Sequence, residues 1–214
     1  MTVLWSPGTG DFNAPFISPG GIGQVTPAPG AFTSLTSQFG GGNAVVNNEG
    51  NINRQISAAG VQPGATAADN VLAVYTLPAG SFAAAGQGVN IIAQGSFGAT
   101  ANNKRVKIIV NPATAVVGST VGAGGVTVAD TAVVATNGGG WAVEANVFKY
   151  GAAGSNTQLG LHQQAQVGAA VAALLAPAPI TAAESGAILI AITGNATTAV
   201  SDIIFNFLEI NAMG

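Results

Sequence analysis

Between Trp141 and Tyr150 the chain alternates. Trp141, Val143, Ala145, Val147 and Lys149 share one phase, and Ala142, Glu144, Asn146, Phe148 and Tyr150 share the other. A β-strand turns successive side chains to opposite faces. The ribbon therefore predicts a strand whose odd positions face a core while Glu144 and Asn146 face away. Similar short runs recur from about Asn70: VLAVYTLP, GVNIIAQGSF, RVKIIVNP, TAVVAT, WAVEANVFKY, TQLGLHQQAQV, AILIAITG and VSDIIFNFLEIN, eight candidate strands bounded mostly by Gly, Asn, Asp or Pro. GATANNK, VGAGGV, NGGG, YGAAGSN and TGNATT between them carry turn chemistry. A helix is expected only within Ala165 to Ala183, where Pro177 and Pro179 limit it.

The closing strand reads differently. In strict alternation Ile203, Phe205 and Phe207 lie on one face and Ile204, Leu208 and Ile210 on the other. A strand apolar on both faces is buried on both, so Ile204, Leu208 and Ile210 are candidates for a contact with a neighbouring subunit. Eight strands and little helix predict an all-β fold, an antiparallel β-sandwich of jelly-roll type over residues 61–214. An immunoglobulin-like sandwich is the competitor, although the Cys…Trp…Cys signature is absent.

Residues 1–60 carry a different pattern. Pro7, Pro15, Pro19, Pro27 and Pro29 precede Ala31, and glycines cluster at 20–21 and 40–42, so neither a helical nor a strand period survives. Yet Trp5, Phe12, Phe16, Phe32 and Phe39 are apolar anchors that a free linker would lack. Together they predict an extended N-terminal arm ordered by lying against a partner; a flexible tail with incidental aromatics is the alternative.

Charge changes the picture most. Only 6% of the 214 residues are charged and the net charge is -3, against about 25% charged residues in an ordinary soluble domain. A neutral surface of amides, hydroxyls, alanine and glycine is cheap to desolvate when its groups find partners, and like-charge repulsion does little to keep copies apart. We read this as a surface largely covered by other protein. The chain has no cysteine, which excludes disulfides and thiolate metal sites. MTVLWSPGTGDF lacks a basic segment followed by an apolar one, so no secretory signal is expected. Val167 to Ala183 is the longest uncharged small-apolar run, but two prolines interrupt it and it falls short of a bilayer span.

No catalytic, cofactor or metal motif emerges. His162, the single histidine, is predicted on a polar face with Gly160, Gln164 and Gln166, and no GxSxG accompanies it. The carboxylates Asp11, Glu49, Asp69, Asp130, Glu144, Glu184, Asp202 and Glu209 are spread singly, without a calcium loop or HExxH; capping or structural roles are expected, although a glycosidase pair need not be adjacent in sequence. Lys104, Arg105 and Lys107 form the one basic cluster, too small to neutralise enough phosphates for nucleic acid; an edge-strand guard or an inter-subunit salt bridge is expected instead. SPGGIGQ and VGAGGV lack the following helix and Lys-Ser/Thr of a phosphate loop. The sequon at Asn195 has meaning only in a secretory pathway.

DNVLAVYTLPAGSF, GVNIIAQGSFGATANNKRVKIIV, GGGWAVEANVFKYGAAGSNTQ and ITGNATTAVSDIIFNFLEIN together resemble a recurrent β-sandwich of tailed-phage virion proteins, the jelly-roll capsid decoration (cement) proteins. The resemblance rests on Asp69, Leu77-Pro78, Gly95 to Phe97, Asn103-Lys104, Trp141, Gly194-Asn195 and Asp202, spans Asp69 to Asn211 and omits the arm. It implies a homotrimer made in the host cytoplasm and mounted on the outer capsid surface, with the major capsid protein as partner. It implies no enzyme activity, cofactor, nucleic acid or membrane. Trp5 and the four phenylalanines named above would then anchor the arm to the capsid. The same domain would also suit a head-fibre or tail receptor-binding protein recognising a host surface glycan, although the repetitive shaft of a fibre is missing. A stand-alone glycan-binding or glycan-hydrolysing module is a third reading.

Overall fold

The structure is a computed structural model and describes residues 36–39, 42–45, 50–56, 66–197 and 202–213. The chain forms two compact units, Met1–Val46 and Asn47–Gly214. In the first, β1 (Thr36–Phe39) and β2 (Gly42–Val45) pair antiparallel, so part of the segment read as arm carries strand structure.

The second unit holds β3 (Gly50–Ile56), β4 (Thr66–Leu77), β5 (Gly88–Phe97), β6 (Asn103–Val110), β7 (Val126–Asp130), β8 (Val134–Ala135), β9 (Gly140–Lys149), β10 (Gln158–Val167), β11 (Ala170–Val171), β12 (Ala178–Ile180), β13 (Ile188–Ala196) and β14 (Ile203–Met213). All pairings are antiparallel. One sheet has seven strands in the order β11-β10-β9-β5-β14-β3, with β12 also on β10. The other has five, in the order β4-β13-β6-β7, with β8 also on β6. Leu72, Ile108, Ile190 and Ile192 of the smaller sheet meet Ile91, Val143, Val147 and Leu208 of the larger in one buried cluster. The chain is an all-β antiparallel sandwich, with no helix among the described residues, and none long and apolar enough to cross a membrane.

β9 follows its alternation: Trp141, Val143, Ala145, Val147 and Lys149 are buried and the intervening residues half-buried. Other segments depart from the sequence reading for identifiable reasons. The helix expected within Ala165 to Ala183 does not form. β10 runs to Val167, Gly168 turns with φ +55, and β11 folds back on β10. Pro179 then sits in the short edge strand β12 opposite Leu159, a position where its missing N–H costs no interior ladder bond. Within TAVVAT only Val134–Ala135 is strand. The ladder is carried instead by VTVAD, because the backbone leaves it at Ala132 (φ 58), where Asp130 accepts the Ala132 N–H at 2.8 Å. β3, counted with the arm in the sequence, pairs along β14 from Phe207↔Ile56 to Ala212↔Gly50.

The closing strand divides its apolar residues between the faces differently from strict alternation. A bulge between Phe205 and Phe207 shifts its phase, so Ile203 and Phe205 before it, and Leu208 and Ile210 after it, all turn into the core. Strict alternation had divided these four between two faces; one extra residue unites them.

The outer face of the smaller sheet is covered by the connection between β6 and β7. Residues 111–125 leave β6, pass β13 and reach the far edge of β4. There Gly118 N–H donates to Val71 O and Val71 N–H to Ser119 O, both at 2.9 Å. Ala191 and Thr193, which alternate with core residues of β13, are fully buried. The edge of β4 is thus occupied within the chain from Asp69 to Val71, which prevents strand addition along that stretch.

Gly95 faces Trp141 across the β5–β9 pair, and a Cβ on Gly95 would lie 2.5 Å from indole Cζ2. The indole Nε1 donates to Ser96 O at 3.2 Å, so the ring is held flat over the glycine. Replacing Gly95 by Ala should destabilise the fold by about 1–3 kcal/mol, the cost of overpacking. An unchanged urea midpoint would contradict this arrangement.

Candidate functional site

Asp69, Asp130, Glu144, Glu184 and Asp202, with Lys104, Arg105, Lys107 and Lys149, are bonded inside the chain. Asp130 accepts Arg105 Nε at 2.8 Å and a second, shorter bond from Nη2. Lys107 Nζ lies 2.6 Å from Asp69. Glu144 accepts Asn90 Nδ2 at 2.8 Å, and Asp202 accepts Asn102 Nδ2 at 3.1 Å and the Thr100 hydroxyl. Lys104 is fully buried; its ammonium donates to the carbonyls of Thr100, Asn102 and Thr136 and sits 6.0 Å from the Phe97 ring centroid. β6 is an interior strand flanked by β13 and β7. The cluster Lys104, Arg105, Lys107 is therefore not an edge-strand guard, and each cation finds its partner within the chain. Asp11 and Glu49 lie outside the described residues.

The densest cluster joins the β9–β10 turn to the segment before β13. Lys149 takes the last inward position of β9 and is 1% exposed. Its ammonium donates to Glu184 and, at 3.0 Å, to Ser155 Oγ. Glu184 also accepts Gly154 N–H at 3.0 Å, Thr157 N–H at 3.2 Å and Gln158 Nε2 at 2.7 Å. Gln158 in turn exchanges bonds with the Ala182 backbone. Burial pushes the Glu184 carboxyl up, but the hydrogen bonds and charge of Lys149, with those from Gln158 and Gly154, outweigh it and hold the group below its ordinary value of 4.5. With Lys149 on β9, Ser155 and Gln158 beside the β9–β10 turn and Glu184 before β13, the cluster is a clasp between loops.

A depressed carboxylate contributes stability that is in place above pH 4.5 and is lost as pH falls through the lower folded value. Removing one partner leaves a buried unpaired charge, whereas removing both does not. Lys149→Met should accordingly lower the melting temperature more than Lys149→Met with Glu184→Leu. The opposite order in thermal melts would show that the ion pair is not what closes the clasp.

His162 was expected on a polar face with Gln164 and Gln166. The structure separates them: β10 bulges between His162 and Gln164, so His162 stays inward and 6% exposed. Its Nδ1 accepts Leu175 N–H at 2.8 Å, while Nε2 is buried without a partner. Burial lowers its pKa from 6.5, opposed by the nearby backbone of Gln164, which favours the protonated ring, and by the charge of Asp130. The folded state therefore resists a proton that the unfolded chain accepts. Stability should fall as pH drops below 6.5, and the slope between pH 7.5 and 5.5 should be shallower in His162→Gln. Equal slopes in urea titrations would exclude His162 as the source.

On the outer face of the larger sheet a shallow depression of about 320 Å³ is lined by Gln94, Gly95, Gly140, Trp141, Ala142, Gln166 and Gly168. Gln166 accepts from Gln164 at 2.9 Å and donates to Gly168 O at 2.8 Å. No acid, base or nucleophile lines it. Among the described residues no group of three or more His, Asp or Glu could hold a metal ion.

No protein family, curated protein or solved structure matches the chain. Of the residues read from the sequence as arm anchors, Trp5, Phe12, Phe16 and Phe32 lie outside the described residues, and Phe39 ends β1. Of those read as subunit contacts, Leu208 and Ile210 are fully buried in this chain's own core, because the β14 bulge turns them inward. Ile204 keeps the outer phase and is half-buried. The buried ion pair was missed in the sequence. Its signal was the fifth inward position of β9, where a lysine continues a run of core residues and therefore requires a carboxylate.

Proposed function

We propose that this chain is a structural virion protein, a capsid decoration protein that forms a homotrimer on the outer capsid surface and stabilises the lattice through the major capsid protein. The observation that carries this reading is strand order. Counted from β3 and leaving aside β8 and β10 to β12, the main strands run 1-8-3-6 in one sheet and 2-7-4-5 in the other. Two Greek keys wrapped into a jelly roll produce that order, in keeping with the resemblance read from the sequence. β10 to β12 extend one edge of the larger sheet.

Charge supports the same reading. Of five Lys and Arg residues, Lys104, Arg105, Lys107 and Lys149 are bonded within the chain. What the described residues leave outside is largely uncharged, including the exposed Ile56, Tyr150, Val171 and Leu174, and suits lasting contact with protein in varying salt because screened ion pairs are not what holds it. An extended arm before Asn47 would span neighbouring capsid subunits, and trimer symmetry would multiply its contacts by avidity.

The full chain should scatter light as a trimer and bind undecorated capsids of the virus that carries it. A chain lacking residues 1–46 should remain folded and lose attachment. A monomer at micromolar concentration, or capture by host surface glycan with no capsid binding, would overturn the proposal.

A further inference from the structure

The two outer faces of the sandwich are treated differently. The smaller sheet has its face covered by residues 111–125 and its charges closed in the Arg105–Asp130 and Lys107–Asp69 pairs. The larger sheet presents, across β10, β9, β5, β14 and β3, an outer face whose described side chains are half-buried or exposed. Pairing registers place Asn146, Asn90, Asn211 and Asn51 close to one line across four strands. Apolar side chains flank this amide line: Ile92, Phe148, Phe207 and Leu161 point outward and are half-buried. The ionisable residues on the face are few. Glu144 is held by Asn90, and Glu209 lies in register with Arg54.

We infer that this outer face of the larger sheet, centred on β5, is where copies of this chain meet; the inference rests on the assembly proposed above. Two features select a second copy as the occupant. A face with few ionisable groups meets a neighbouring copy without like-charge repulsion, and on this face Glu144 is already bonded to Asn90. Amides both donate and accept, so the asparagine line can bond amides on an adjoining part of the face in the next copy, the head-to-tail contact that a three-fold ring requires. The size is sufficient as well. Five strands about 4.8 Å apart, each showing about five outward residues at twice the strand rise, span about 800 Å², comparable to one partner's share of a stable interface. The shallow depression at Gln94 and Gln166 lies on this face, where it would receive a side chain from the neighbour.

The test uses the full chain carrying Gln94→Glu with Gln166→Glu, which adds two like charges to the face. Thr76→Glu, at an exposed position on β4 of the other sheet, serves as control. Circular dichroism and thermal melts establish that each variant is folded. By light scattering across a dilution series, the double variant should dissociate at a concentration at least tenfold higher than the parent, with the control unchanged. A parent chain that is itself monomeric sinks both this inference and the assembly reading. An oligomeric parent whose double variant dissociates no more readily than the control sinks this inference alone and leaves the assembly to another surface.

Discussion

A strand feeds a sandwich core only while its two-residue phase is kept, and this fold depends on where that phase is deliberately broken. β14 bulges after Phe205 so that Ile203, Phe205, Leu208 and Ile210 reach the same core. β10 bulges after His162 so that the histidine turns in while Gln164 and Gln166 turn out. The β13–β4 and β6–β7 pairs shift register too. Each added residue re-aims everything downstream of it by half a period.

That constraint explains what could be read from the chain and what could not. β9 has no internal bulge against β5, and its five inward residues follow the alternation from Trp141 to Lys149. The sandwich class, most strands and the turns at glycine clusters were legible for the same reason: pleat period and turn chemistry are local. Leu208 and Ile210 were misplaced because a bulge leaves no mark on hydrophobicity; Asn206 between two phenylalanines looks like an ordinary outward residue. β3 escaped notice because Asn, Arg and Gln dominate GNINRQI, and only pairing with β14 makes it a strand. The segment after Val167 read as helix because alanine is a good helix former, yet its pairing with β10 overrides that weak preference.

The scarcity of charge acquires a structural meaning once the partners are known. Lys104 is caged by three carbonyls, and Lys149 is shared between Glu184 and Ser155. Both hold loops at strand ends, where backbone groups would otherwise be left without partners. The surviving ions fasten connections inside one chain. Amides, which give and accept alike, are left to face outward, and this division links the composition of the chain to the assembly proposed for it.

The position of β14 carries a consequence for biogenesis. The strand that comes last in the described chain lies between β5 and β3, so the larger sheet stays split until residues 203–213 have left the ribosome. Until then β3 has no partner strand and the core lacks Ile203, Phe205, Leu208 and Ile210. Folding therefore completes only once this strand is available, through contacts joining segments about 150 residues apart, the slow and non-local kind. During that interval the nascent chain exposes two unpaired edges beside an open core, and in a chain with so few charges to keep neighbours apart, chaperone shelter matters most at this step.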